Sequence, residues 1–271
     1  MTEMIEKSDT RPAADVHIDD RDGVRTITLD RPRSRNGLTT AVCDQISAAV
    51  RGVPADVRAI IVTGANGAFC SGLDLKDAMA RGVQPLPELE RGLRQSFHGV
   101  IRSLVESDRP TIALVDGAAA GFGCDLALAC DLRIASDRGV FGEIFVKRGL
   151  MPDGGGTWHL PRIIGLGRAL ELLLTGDLVQ ADEALRLGLA NRIIPHGEIG
   201  TRTHELAAQL AKGPPLVHRA VKRAVYAGLD GDLTAALDRE ARGQLELLQS
   251  RDFTEGVAAF LQKREPRFDG K

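Results

Sequence analysis

Three carboxylates and two glycine-rich loops are the parts of this chain that could do chemistry. Asp153 stands alone in "GLMPDGGG" (149–156), between a proline and three glycines. Glycine runs cost backbone entropy and add no packing. One acid there either caps the helix that follows or sits where backbone must approach a ligand closely. Asp125, in "GFGCDLALAC", falls in the first turn of a predicted helix, where any acid is favoured by ~0.3–1 kcal/mol; proton transfer is its other possible role. Glu143, in "FGEIFVKRG", is either another site carboxylate or a rim residue. His159 could carry protons or simply pack beside Trp158.

The loops are "GAFCSGLDL" (67–75) and "DGAAAGFGCDLALAC" (116–130). Each leads from a predicted strand into a predicted helix. That geometry aims unpaired backbone N–H groups and a positive helix end at one place. Two converging N–H groups would polarise a carbonyl and hold the enolate or oxyanion it becomes. The alternative is a pair of tight connections.

The elements that must position these groups read as follows. Val16–Ile18 and Val24–Leu29 form a hairpin across Asp22-Gly23. Leu38, Val42, Ile46, Ala49, Val50 and Val53 share one helical face, capped by Thr39 or Thr40. Ala59–Thr63 is a buried strand. Leu89, Leu93, Phe97, Val100, Ile101, Leu104 and Val105 mark an amphipathic helix. "PTIALVDGAAAGFGCDLALACDLRIAS" supplies strand, glycine turn, short helix and strand. After "NRIIP" the pattern is helical throughout: 201–212, 215–229, 232–250 and 252–263. Alternating strands and helices predict an α/β class, with ligands at strand ends. The expected division is a loose tail at 1–15, a core at 16–200 and a helical oligomerisation region at 201–271.

The remaining signals exclude function classes. There is no G-x-S-x-G elbow and no phosphate-binding Walker loop. "GLGRAL" (165–170) lacks the third glycine of a dinucleotide fingerprint and comes too late in the chain. Cys43, Cys70, Cys124 and Cys130 form no C-x-x-C pair and no zinc spacing, so no metal is expected. The chain has 271 residues and a net charge of −2, which argues against nucleic acid and anionic membrane as partners. No apolar run reaches ~18 residues and no signal peptide is visible, so a cytoplasmic location is expected.

Five ordered segments carry a resemblance: "IIVTGANGAFCSGLDLK", "RPTIALVDGAAAGFGCDLALACDLRIASD", "GLMPDGGGTWHLPRIIG", "LLLTGDLVQADEALRLGLANRIIP" and "EGVAAFLQKREPRF". Together, from Val16 to Phe268, the chain resembles the enoyl-CoA hydratase/isomerase (crotonase) superfamily. The resemblance implies a spiral of ββα units with a helical C-terminal region that makes a homotrimer or a hexamer of two trimers. It implies a coenzyme A thioester as substrate and no permanently bound cofactor. The oxyanion-hole donors would be the N–H groups of Leu73 and Phe122, the latter where glycine is common. Coenzyme contacts would fall on Arg31, Arg35, Ala68, Cys70, Asp74, Leu75, Lys76, Phe260 and Lys263. Phe145 and Trp158 would line the acyl pocket.

The resemblance also bears on the reaction. The family's hydratases use two glutamates; Asp125 and Phe145 stand in their places. On a continued strand, Glu143 would share the face of Phe145 but sit ~6–7 Å from it. Water addition needs one group to position water and another to deliver a proton. Asp153 resembles the later-loop acid of isomerases and of certain dehalogenases. Double-bond isomerisation is therefore expected before hydration, with Asp153 or Asp125 moving the proton. Desolvation by Phe122, Phe145 and Trp158 should raise the acid's pKa. Hydrolysis, retro-Claisen cleavage, dehalogenation and non-catalytic thioester binding are the alternatives.

Overall fold

A computed structural model describes residues 14–82 and 84–271; most of the expected tail lies outside the described residues. The nine strands among them are β1 (Val16–Arg21), β2 (Val24–Leu29), β3 (Ala59–Gly64), β4 (Thr111–Val115), β5 (Ala118–Ala120), β6 (Leu132–Ser136), β7 (Val140–Gly142), β8 (Val179–Gln180) and β9 (Arg192–Ile194). The helices through the core are α1 (Thr40–Arg51), α2 (Leu75–Ala80), α3 (Leu86–Gly92), α4 (His98–Val105), α5 (Phe122–Leu128), α6 (Gly156–Ile164), α7 (Leu166–Thr175) and α8 (Ala181–Leu187). Four more follow: α9 (Ile199–Lys212), α10 (Pro215–Gly228), α11 (Leu233–Leu247) and α12 (Arg251–Gln262).

The main sheet has the order β1-β2-β3-β4-β6-β9. Only the β1–β2 pair is antiparallel, and its two-residue turn has Asp22 and Gly23 both at positive φ, the hairpin turn that matches strand twist. The central strands are apolar on both faces because each face is covered. Ile27, Leu29, Ile60, Val62, Ala113 and Val115 point into a core shared with α1, α4 and α5. Alternate residues Ala59, Ile61, Ile112 and Ile134 point to the other face, where Ala207 and Ala211 of α9 pack. Thr39 caps α1, its Oγ1 accepting from Val42 N at 3.3 Å.

Two features depart from the sequence reading. The "GAAAG" segment, read as a glycine turn, contains β5, which joins β7 and β8 in a second small sheet. Three-residue strands of alanine carry no periodicity to detect. The expected layer boundary at residue 201 also falls inside α9. That helix belongs to the sheet's outer core, and only α10–α12 extend beyond it. No described helix is long and apolar enough to cross a membrane.

Candidate active site

The loops after β3 and β4 meet at the carboxyl ends of these parallel strands, where α/β sheets usually place ligand sites. Cys70 bridges to Ala119, its N–H donating to Ala118 O at 3.0 Å and its carbonyl accepting from Ala120 N at 3.0 Å. Leu38 N donates to Gly72 O at 2.7 Å, and Asp74 N to Leu38 O at 2.9 Å. The Cys70 bonds stitch the first loop to the second, and the Leu38 bonds tie it to the segment before α1. Gly72 is essential to the approach: its φ is +90°, and a Cβ there would stand 2.7 Å from Ala120 O and 3.2 Å from Phe122 N. Only a residue without a side chain brings Leu73 this close to the start of α5.

Among the described residues, neither Leu73 N nor Phe122 N has a hydrogen-bond partner. Phe122 opens α5, so its N–H is one of the donors a helix cannot satisfy internally. Two unpaired amides at one junction, one at a helix N-terminus, suit a carbonyl that gains negative charge.

The acids lie beside them. Asp125 is fully buried on α5, and its Oδ2 accepts from Gly154 N at 3.0 Å. Glu143 is 2 % exposed. It does not continue a strand toward Phe145: β7 ends at Gly142, and residues 144–148 turn into a 3₁₀ helix. The turn parts the two side chains. Glu143 faces Asp125 across Gly156, where a Cβ would lie 2.6 Å from Asp125 Oδ1 and 3.1 Å from Glu143 Oε1. Phe145 instead lies over Gly121, 4.0 Å from a Cβ there. The expected separation of Glu143 from Phe145 along one strand face therefore gives way to a paired carboxylate.

Asp125 Oδ1 and both Glu143 oxygens are sealed from solvent without hydrogen-bond partners among the described residues. Such groups cost free energy unless they stay neutral or meet a ligand. Burial pushes the Glu143 carboxyl up to about 7; the neighbouring Cys124 thiol opposes this and the charge of Asp153 adds to it. Asp125 is held well above the usual carboxylate range by burial, then by Glu143 and Asp153. Backbone N–H groups of Gly154 and Gly156 partly offset the rise. Burial and the two acids push the Cys124 thiol well up, so it stays protonated.

Asp153 differs from both. It is exposed at the edge of the site, and partial desolvation raises its pKa while His98 pulls it down. It caps nothing: the residue before α6 is Gly155, at φ +97° and without a side-chain cap. The capping explanation for "GLMPDGGG" fails because two glycines separate Asp153 from the first helical turn.

The aromatic surroundings are only partly as expected. Phe122 is buried, with Phe97 packed edge-on at 5.0 Å between ring centroids. Trp158 does not join them; it stacks on Tyr226 of α10 at 6.4 Å and lies under Arg162 at 4.4 Å. Its helical position turns the indole toward α10. His159 is buried and held near pKa 4 by desolvation, then by Arg133 and Arg162, so it carries no proton charge at neutral pH. Phe97 and His98 were missed as site residues. They lie on the amphipathic helix, but a π-helical turn at Leu93–Phe97 sets their direction, and nothing in the apolar spacing announces it.

The expected coenzyme contacts are scattered. Arg31 is committed to Asp74 at 3.1 Å and Asp15 at 3.1 Å. Asp74 also caps α2 through Asp77 N. Cys70 has both backbone groups bonded to β5 and its side chain buried. Ala68 O accepts from Asn36 Nδ2 at 2.7 Å. Arg35, Leu75 and Lys76 remain exposed near the loop. Phe260 is 82 % exposed on α12, with Lys263 at that helix's end. The tail after it bonds to Arg58, at the opposite end of β3, so one chain does not bring Phe260 and Lys263 to Leu73. Among the described residues no cluster of three metal-ligating side chains exists.

Gly156→Ala is expected to cut turnover more than tenfold with near-wild-type far-UV circular dichroism. The added methyl would press on Asp125 Oδ1 and Glu143 together; steady-state kinetics on any accepted thioester checks this.

Comparison with known proteins gives the family. A sequence model of the enoyl-CoA hydratase/isomerase family matches residues 19–271. A Rhodobacter capsulatus protein named probable enoyl-CoA hydratase is 44 % identical over 92 % of this chain and 96 % of its own length. The Escherichia coli 1,2-epoxyphenylacetyl-CoA isomerase is 36 % identical over 92 % of this chain and 96 % of its own. The crystal structure of an enoyl-CoA hydratase from Bacillus anthracis superposes with a TM-score of 0.90 at 31 % identity, covering 95 % of this chain and 100 % of that one. With a matching sequence model over nearly all of its length and relatives of this similarity, the chain belongs to the enoyl-CoA hydratase/isomerase family.

Proposed function

We propose that this protein isomerises an acyl-CoA thioester by moving a proton along the acyl chain. The observation that carries the reading is the split among three neighbouring carboxyls. Asp125 and Glu143 are buried and favour the neutral form, whereas Asp153 is exposed, and its carboxyl is raised by partial desolvation that His98 opposes. Acid and base roles follow from environments that separate pKa values. The thioester oxygen docks on the N–H groups of Leu73 and Phe122. Asp153 removes a proton from the α or γ carbon. The resulting dienolate keeps its charge on the oxygen held by the two amides. A proton returned at the other carbon, from Asp153 itself or from the Asp125–Glu143 pair, completes the shift. The similar Escherichia coli isomerase and the Phe97–Phe122 pair favour a ring-bearing or unsaturated acyl group.

Hydration is the second reading, and Glu143 favours it: with Asp125 it restores two carboxyls to one pocket. Incubating 2-enoyl-, 3-enoyl-, dienoyl- and aryl-acetyl-CoA thioesters in deuterated water separates the two. Isomerisation places deuterium on carbon and leaves mass otherwise unchanged. Hydration adds the elements of water. Binding of several thioesters with neither change would overturn both readings.

The proposed assembly is a homotrimer or hexamer. Its support is the row of exposed apolar side chains on the outer helices, including Val221, Val225, Leu233, Leu237 and Phe260, more than a monomer ordinarily leaves to water. Any coenzyme role for Phe260 and Lys263 would be exercised on a second copy.

A further inference from the structure

The Leu73 amide is aimed by the segment that precedes α1. Its N–H belongs to the same peptide unit as the Gly72 carbonyl, and in a trans peptide the two point in opposite directions. Gly72 O accepts from Leu38 N at 2.7 Å, and Leu38 O accepts from Asp74 N at 2.9 Å. Leu38 thus brackets residue 73 from one side, which turns the Leu73 N–H to the other. The bond to Gly72 O also polarises that N–H, since hydrogen bonds chained through one peptide reinforce each other. Phe122 has a parallel arrangement: Gly121 O, in its peptide unit, accepts from Cys124 N at 2.8 Å and Asp125 N at 3.2 Å. There the helix α5 fixes the amide. At Leu73 the fixing comes from whatever holds Leu38.

Asn36 sits two residues before it and is 1 % exposed. Arg35 and Asn36 both lie at positive φ, 51° and 60°, a conformation that such residues keep only where their surroundings fix it. Asn36 Oδ1 accepts from Arg31 N at 2.9 Å, and its Nδ2 donates to Ala65 O at 2.9 Å and to Ala68 O at 2.7 Å. The amide fits only this way round, with its oxygen on an N–H and its nitrogen on two carbonyls. One buried side chain therefore joins the 31–38 segment to the loop after β3. Gly64 makes room for it: a Cβ there would stand 2.6 Å from Asn36 Nδ2. Two further bonds run alongside, Ser71 N to Arg35 O at 3.1 Å and Ser71 Oγ to Ser34 O at 2.7 Å.

We propose that Asn36 is a positioning residue for the oxyanion hole: it clamps the 31–38 segment to the loop after β3, and Leu38 then aims the Leu73 N–H at the thioester oxygen. This rests on the reading of Leu73 and Phe122 as the donors to that oxygen. It holds alike for an isomerase and a hydratase, because both load charge on that atom.

The test uses the full-length protein with hexanoyl-CoA and phenylacetyl-CoA, each carrying ¹³C at the thioester carbonyl. Infrared difference spectra against the unlabelled compounds give the carbonyl stretch of the bound thioester. In wild type, a carbonyl held by two amides should absorb at lower frequency than the free compound. In Asn36→Gly, where the left-handed backbone stays allowed, the band should move back toward the free frequency. Ser71→Ala, which removes one bond alongside, should move it the same way by less. Thr111→Val removes a buried hydroxyl bonded to Asp131 at the opposite end of β4; it should lower the melting temperature and leave the band in place. Thermal melting of each variant confirms that it is folded. On a thioester that turns over, Asn36→Gly should lower kcat by about 10²-fold, the scale of loss when a reacting group is misplaced, with KM little changed. A band unmoved in folded Asn36→Gly or, should that chain not fold, in Ser71→Ala overturns the inference, as does an equal movement in Thr111→Val. No binding of either thioester, or no displacement of the band in the wild-type complex, would instead overturn the reading of the two amides, whatever Asn36 does.

Discussion

Asp153→Asn lowers kcat by about 10²–10⁴-fold, the usual contribution of a positioned acid or base, and leaves KM within a few-fold. The amide keeps the shape of the side chain and one acceptor oxygen but cannot take a proton. Asp153 caps no helix and is exposed, so its replacement leaves the fold intact and the loss falls on chemistry. In single-turnover experiments with a deuterium-exchanging thioester, both isomerisation and exchange should fall together. The pH profile has a defined shape. Below the raised pKa of Asp153 the base is protonated and activity falls. Above about 7 Glu143 loses its proton, and the acid half of the pair is lost. A bell with its alkaline limb near neutrality is expected. A profile flat to pH 9 would remove Glu143 from the proton path.

The second large effect is on stability. Replacing Glu143 with Gln is expected to stabilise the protein at alkaline pH while reducing turnover. Glu143 has an ordinary pKa of ~4.3 in an unfolded chain and one of about 7 in the folded protein. The folded state therefore holds a proton that the unfolded state releases. Its contribution is fully present below about pH 4 and is lost as pH rises through 7. At about 1.4 kcal/mol per unit, the loss amounts to roughly 4 kcal/mol by pH 8. Asp125 acts in the same direction. Urea midpoints of both proteins at pH 5, 6, 7 and 8 should diverge up to pH 7 and level off beyond it, with the variant ahead at the alkaline end. Parallel midpoints would mean that Glu143 is not held neutral in the folded protein. The buried pair is thus a cost in folding.

The legibility of the site follows its chemistry. The oxyanion-type loops were visible because glycine at positive φ and at close backbone approaches cannot be replaced without strain, so "CSGL" and "AAGFG" stand out from ordinary turns. Asp125 was visible as an acid in a helix's first turn. Asp153 was conspicuous by isolation, although the capping role that explained its residue type is not the one it fills. Glu143 was misplaced in space, since its position depends on where β7 ends. A run such as "VFGEIFVKRG" is as good a strand as a strand followed by a 3₁₀ turn. Trp158 enters the acyl pocket only through the family resemblance, and helix phase turns it to Tyr226 instead.

The sequence by itself determined the layered α/β architecture, the hairpin, the two-faced central strands, the cap of α1 and the presence of amide-bearing loops at strand ends. Those features rest on local periodicity and on backbone conformations that few residue types allow. Tertiary structure decided the rest. It paired Glu143 with Asp125 across a glycine, turned Phe97 onto Phe122 after a π turn, and buried two of three similar acids while leaving the third exposed. Each outcome depends on burial and on distances between segments remote in sequence. Desolvation and Coulomb interaction act through those distances, and no local pattern of residues records them.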